Sequence, residues 1–392
     1  MLSVKKKLQT EGVKEMAEST ESIEVVDDSG WSELLAWLPA DIEEKMRETG
    51  AFSRSRKIKK PTDLLRIVLA YPVLNKSLPG LSRWASEKGI ADLSFISIWE
   101  RMQEMVVFLR WLVGDMLSQI VVPEGTGLSL APIDATTFSL PGSNKRDWLL
   151  HMVWMQGQLV TIRLSKARGD NTGESLKHLD DAPQHAVIMG DRVYGTPTGL
   201  THALKKGMRY IVRFSWNHLP LFETAACITP VTPEQKLEGM TCGEIRDFTA
   251  WVKGSNNKPF PVRIVVVKKD KQSSEKALRQ CVYESNRKGH IPREITLYMA
   301  QFITLATNLD TPDVTKEHIT EAYRWRWQIE REFRRFKSTT YIRKLVNQKD
   351  TTVEVYLLAA MVAWLISHKI AQQKSFFPWG YPLRTCCREG NS

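Results

Sequence analysis

The sequence predicts an α/β chain in which a helical N-terminal third leads into a mixed sheet, and three observations carry that reading. Between Trp31 and Leu117 the apolar residues recur at helical spacing, as in WSELLAWL and LLRIVLAYPVL. After Pro123 the texture changes to short apolar strands, two of which close on an aspartate. Towards the C-terminus, Glu321 to Leu345 (EAYRWRWQIEREFRRFKSTTYIRKL) reads as one basic amphipathic helix.

At 392 residues the chain has room for roughly two to four domains and a sizeable core. Its 55 Lys and Arg against 44 Asp and Glu give a net charge of +11, a balance that suits a polyanionic partner. The 13 tryptophans serve either as core or as base-stacking platforms. Cys227, Cys242, Cys281, Cys386 and Cys387 form no CxxC pair and have no His at ligand spacing, which argues against a zinc site or a disulfide scaffold and for a reducing cytoplasm. No apolar stretch follows Lys5, Lys6 and Lys7, so no signal peptide is expected. The longest uncharged apolar run, Val355 to Ser367, has 13 residues. Spanning a bilayer takes about 20, so a buried helix and no membrane are expected.

Taken in order, residues 1–30 are polar. The helical region that follows is punctuated by Pro39, Pro61, Pro72 and Pro79. Arg54, Arg56, Lys57, Lys59 and Lys60 crowd one loop, which is either a solvated connection or a phosphate-binding arm. Leu81 to Met102 has the pattern of a helix-turn-helix: small Ala85 in the first helix, Gly89 at the turn, and Ile90, Phe95 and Ile98 to pack the pair. Its second helix would present Ser94, Ser97 and Arg101 to DNA.

In the strand region, GLSLAPIDATTFSLPG runs to Asp134 before a Pro141-Gly142 turn, and DWLLHMVWM with QLVTIRLSKA forms a hairpin beside it. HAVIMGDRVYG repeats the grammar, an apolar strand that delivers Asp191. A single such aspartate reads as a turn residue or helix cap. Two on neighbouring strands are what an oxygen-ligand metal site needs. Beyond Trp216, GEIRDFTAWV and PFPVRIVVVKK read as strands, SSEKALRQCVYESNR as a helix, and QFITLATNLD as a strand that rejoins the core sheet.

On a helical wheel with Tyr323 at zero, Arg326, Glu330 and Lys337 fall at roughly −60°, −20° and −40°, on one narrow stripe flanked by Arg334 and Trp327. Trp325, Ile329, Phe333 and Phe336 make an adjacent stripe, at roughly 200–280°, that should bury. Glu330 is thus a lone acid among cations. The spacing Tyr323-x2-Arg326-x3-Glu330-x6-Lys337 resembles the YREK signature of DDE transposases of the insertion-sequence-four family, and Asp134 in IDATT and Asp191 in GDRVYG match that family's aspartates in order and context. The resemblance covers about residues 30 to 345. Arg-Val-Tyr-Gly after Asp191 varies the family's usual pattern, which bears on the loop and not on the acid.

The resemblance implies an RNase H-like mixed-sheet catalytic core with a β-rich insertion, an N-terminal α-helical domain and a C-terminal helical segment. The expected divisions are a helical DNA-binding domain at 1–125, the core at 126–216 and 301–345, the insertion at 217–300 and the C-terminal segment at 346–392. It further implies Asp134, Asp191 and Glu330 as catalytic residues and ligands of two Mg2+ ions, with Mn2+ able to substitute. Tyr323, Arg326, Lys337 and Arg334 would contact DNA phosphates. The partners would be double-stranded DNA, element ends and target, and a second copy in a homodimeric DNA complex. The reaction would cut the ends of a mobile element and join the 3′ hydroxyls to target DNA, with a hairpin intermediate suggested by the resemblance alone. Trp216, after RYIVRFSW, would then receive an unstacked base, with core packing as its other reading. A DNA-binding relative without catalysis, or an RNase H-like nuclease without strand transfer, would keep many of the same features.

Overall fold

The computed structural model describes residues 28–118, 129–143, 145, 147–155, 158–167, 176, 179–183, 185–309, 314–340, 342 and 349–373. It divides into two compact units. One comprises Met1–Gln119, Leu140–Gly142 and Arg335–Ser392, the other Ile120–Ser139 and Ser143–Arg334.

The first unit is helical. Among its described residues are α1 (Asp28–Leu35), α2 (Ile42–Glu48), α3 (Pro61–Val73), α4 (Leu78–Glu87), α5 (Phe95–Glu104) and α6 (Val106–Ser118), with a long helix, Asp350–Gln373, packed on α3 and α6. Pro61 starts α3 at a position where its missing N–H costs nothing. Leu64, Leu65 and Ile67 in α3 are wholly buried, each worth about 1.5–3 kcal/mol. The long helix is longer than its 13-residue apolar run suggested. Asp350–Ile370 is long and apolar enough to cross a membrane, yet most of it is buried inside the fold, as befits a core helix. Trp99 Nε1 donates to Thr352 Oγ1 at 3.0 Å, and the Tyr71 and Tyr356 rings meet edge-on at 5.0 Å.

The helix-turn-helix expectation holds in outline. Gly89 takes φ +64° between α4 and α5, and Leu81, Ala85 and Ile98 are buried. Phe95 departs from it, being 45% exposed. Ser94 caps α5 by accepting from Ser97 N at 3.2 Å, which makes Phe95 the first helical residue and leaves the inward face to Ile98 and Met102.

The second unit is built on an eight-stranded sheet. Its elements are β1 (Leu130–Phe138), β2 (Trp148–Met155), β3 (Gln158–Lys166), β4 (Val187–Gly195), α7 (Pro197–Lys205), β5 (Arg209–Phe214), α8 (Pro233–Leu237), β6 (Ile245–Lys253), β7 (Pro259–Lys268), α9 (Lys271–Arg287), α10 (Glu294–Ala300), β8 (Phe302–Thr307), α11 (Lys316–Arg324) and α12 (Trp327–Thr339), the last running into the first unit. The strand order is β3-β2-β1-β4-β5-β8-β7-β6. β1, β4 and β5 pair in parallel, and every other neighbouring pair is antiparallel. β8 rejoins the core as expected. It also brings β7 and β6 into the same sheet, so the strands of the 217–300 stretch extend the core sheet instead of forming a separate one.

Alternation along the strands gives the sheet two different faces. Ala131, Ile133, Ile188, Val212, Ile264 and Ala306 build the larger core, shared with Leu200 and Ala203 of α7. Val187, Met189, Ile211, Val265 and Leu305 build the smaller one, covered by Ile319 and Ala322 of α11. Residues in phase with the second set, among them Asp134, Asp191 and Arg213, share the face that α11 covers.

Candidate functional site

Asp134 and Asp191 meet because of register. The parallel ladder pairs Leu130, Ala131 and Pro132 with Val187, Ile188 and Met189 and goes no further. Two residues on, at the same level of adjacent strands roughly 4.8 Å apart, stand the two aspartates. Neither sits at a strand terminus as the sequence suggested. β1 continues past Asp134 in its pairing with β2, while β4 bulges between Gly190 and Gly195. That bulge explains the glycines around Asp191. A Cβ on Gly190 would lie 2.7 Å from the Tyr194 ring, and one on Gly195 would lie 2.2 Å from the Arg213 carbonyl.

Burial drives the Asp134 carboxyl up to about 6, and the neighbouring Asp191 charge adds to the rise. The Ala135 N–H, donating to Asp134 Oδ1 at 2.8 Å, and the Arg326 guanidinium oppose it. Asp191 Oδ1 accepts from Val193 N at 2.9 Å, which fixes its side chain within the bulge.

The basic stretch is not one helix. α11 ends at Arg324 and α12 begins at Trp327. Between them the chain tightens: Trp325 N donates to Ala322 O at 3.0 Å, Arg326 N to Tyr323 O at 3.1 Å and Ile329 N to Arg326 O at 3.2 Å, all bonds of three-residue reach. This break takes Trp325 off the apolar stripe. It is 46% exposed, whereas Ile329, Phe333 and Phe336 are buried as expected. It also aims Arg326 at the aspartates. Arg326 Nη1 lies 3.5 Å from Asp134 Oδ2, and Nη2 donates to Glu330 Oε1 at 2.5 Å, so one guanidinium bridges two of the three expected acids. Tyr323 donates its hydroxyl to the Gly190 carbonyl at 3.2 Å, beside Asp191.

The other expected contacts divide. Arg334 is exposed, with Nε donating to the Glu330 carbonyl at 3.4 Å. Lys337 lies about two turns beyond Glu330 on α12, half-buried, and burial lowers its pKa. Trp216 is not brought to the acids. It is half-buried against the larger core, its ring 5.9 Å from Phe214, because it continues the β5 alternation onto the opposite face. The exposed rings beside the site are Trp325 and Trp327, the latter with the Arg331 guanidinium 4.0 Å over its centroid. On the helix wheel Trp325 fell on the stripe expected to bury and Trp327 flanked the polar stripe; both are exposed.

The donor set is all carboxylate, which suits a hard cation such as Mg2+ or Mn2+. A second indication is that Asp134 and Glu330 already share a positive group. Among the described residues no three His, Cys, Asp or Glu side chains stand close enough to share an ion as they are; Arg326 bridges two of the acids instead.

The sequence profile described as "Transposase DDE domain" matches residues 125–366, more than half of the chain. The chain is 27% identical over 361 residues to the putative transposase InsL for insertion sequence element IS186A of Escherichia coli strain K12, and 28% identical over 362 residues to the transposase for insertion sequence element IS421 of Escherichia coli. Each alignment covers 89% of this chain and 95% of the relative.

Proposed function

The chain belongs to the transposase DDE domain family, and we propose that Asp134, Asp191 and Glu330 are its catalytic acids and that it excises and inserts an insertion sequence element of the insertion-sequence-four type. The observation that carries the proposal is the convergence at one sheet edge. Two aspartates stand at one level of adjacent parallel strands, and a glutamate is tied to the first of them through Arg326.

Two divalent ions would supply Lewis acidity and lower the pKa of the attacking water. Asp134, Asp191 and Glu330 would hold them. Arg326 neutralises Asp134 and Glu330 in the free protein and would turn to a phosphate once cations replace it there. Tyr323 shapes the floor of the site through the Gly190 carbonyl, and Lys337 with Arg334 adds phosphate contacts along α12. The strand is cut by water, and the 3′ hydroxyl so released attacks target DNA. If the strand doubles back as a hairpin, Trp325 and Trp327 are the exposed rings placed to receive an unstacked base, and Trp216 is left out of the interface. DNA of both origins and a second copy of the chain are the partners this reading requires.

The test is magnesium-dependent cleavage of a duplex carrying the element end, by the wild-type chain and by Glu330→Ala. The variant should bind the duplex as the wild type does while losing cleavage by a factor of about a thousand or more, several kcal/mol of barrier. Substantial cleavage by Glu330→Ala would remove Glu330 from the site.

A further inference from the structure

On the α11-covered face of the sheet, the edge that presents Asp134 and Asp191 also gathers cations that have found no acid. Arg213 follows Val212, the β5 partner of Gly190, and lies near enough to Asp191 across the bulge for their charges to interact. Its Nε is buried without a hydrogen-bond partner, and among the described residues its guanidinium makes no ion pair. Arg192, next to Asp191, is exposed and makes no ion pair among the described residues. Lys269 follows β7, in phase with Val265 on the same face, and among the described residues its ammonium is held only by the Ala300 carbonyl at 2.5 Å.

These groups repel one another. Burial comes first in lowering the Arg213 pKa, and the Arg192 charge lowers it further. Burial likewise brings Lys269 down to about 8, with Arg213 and Arg192 adding to the drop. Nothing about the position forbids an acid partner. Arg263, two strands away on the same face, donates to Asp247 Oδ2 at 2.7 and 3.0 Å and to the carbonyls of Val314 and Leu309 at 2.7 and 3.3 Å. A half-buried guanidinium left open beside two other cations has the chemistry of an anion seat.

We propose that Arg213, Lys269 and Arg192 form a seat for a backbone phosphate of the DNA strand, placed across the sheet edge from Asp191. Arg213 is near enough to Tyr323 and Arg326 to feel their charges. The seat rests on the proposed DNA-cleaving function. It adds the direction in which the strand leaves the acids, from β4 across β5 towards the end of β7.

The probe is the acylation rate of Lys269 in the full chain at pH 8 in EDTA, read by peptide mass spectrometry. An amine near 8 that gains an anion rises by about one unit, so its free fraction, and with it the rate, falls about fivefold. The expected result is that inorganic phosphate slows the reaction and chloride at equal ionic strength does not. The element-end duplex slows it at far lower concentration, and Arg213→Gln removes both effects. Equal slowing by chloride, or no slowing by phosphate, overturns the seat. Protection by phosphate but not by a saturating duplex overturns its assignment to DNA. Because EDTA excludes cleavage, these results stand apart from the catalytic reading. A wild-type chain that never cuts the duplex with magnesium defeats that reading, whereas intact cleavage with an unprotected Lys269 defeats the seat alone.

Discussion

Arg263 and Arg213 project from the same face of one sheet, from β7 and β5, with β8 between them. Arg263 has a carboxylate and two carbonyls, and its side chain is 15% exposed. Arg213 has an orphaned Nε, and the acid across from it, Asp191, is committed to its own backbone bulge. The same contrast separates acids. Asp247 is neutralised by Arg263, while Asp134 is half-buried beside a like charge and, among the described residues, has only one long contact to a guanidinium. Charge is satisfied within the sheet and left unsatisfied at the edge where the parallel ladder ends. A protein held together by its ion pairs would show no such difference; a protein that reserves an edge for cations and phosphates would.

The largest stability effect should come from the satisfied end. Arg263→Ala strands Asp247 and two carbonyls and should lower unfolding free energy by about 2–3 kcal/mol, measured by urea denaturation. Asp134→Asn should do the opposite. The folded state holds the Asp134 proton to about pH 6, well above the unfolded carboxyl near 4, so its ionisation costs nothing below about pH 4, costs increasingly between about 4 and 6, and costs in full above. In metal-free buffer at pH 7.5 the variant should therefore gain on the order of 1–2 kcal/mol, and at pH 4 it should match the wild type. A gain that persists at pH 4 would point to packing instead. Arg213→Gln should leave stability within about 0.5 kcal/mol, since it removes no bond. Smallest of all, Lys337→Ala should leave the fold intact and flatten the salt dependence of DNA binding by about one unit of slope, the loss of one phosphate contact. An unchanged slope would make Lys337 part of the helix packing only.

Much of this edge was legible in the chain. The strands carrying Asp134 and Asp191, the hairpin beside them and the lone Glu330 in a basic helix follow from alternation and spacing, which are local; that both strands run on past their aspartates does not. What escaped was set by distant partners. No proline or glycine marks the break at Trp325 and Arg326, where the chain turns as Arg326 reaches Asp134 and Glu330; a wheel drawn through that break therefore buried Trp325, which is exposed. Trp216 follows the β5 alternation onto the far face, a consequence visible only once Tyr210, Val212 and Phe214 are known to face the larger core. Arg213 looked like an ordinary strand residue in RYIVRF, and only the β4–β5 register sets it beside Asp191.

Whether the edge is reserved for divalent cations is tested most directly by titrating MnCl2 into the metal-free full chain at pH 7.5 and following its unfolding free energy, for the wild type and for Asp134→Asn. The wild type should gain stability with concentration, about 2.7 kcal/mol at a hundredfold excess over the dissociation constant, and Asp134→Asn should gain little. At pH 5, where Asp134 holds its proton, the wild-type gain should shrink. No stabilisation of the wild type, or equal stabilisation of both proteins at both pH values, would contradict the assignment of Asp134 and its neighbours as a cation site.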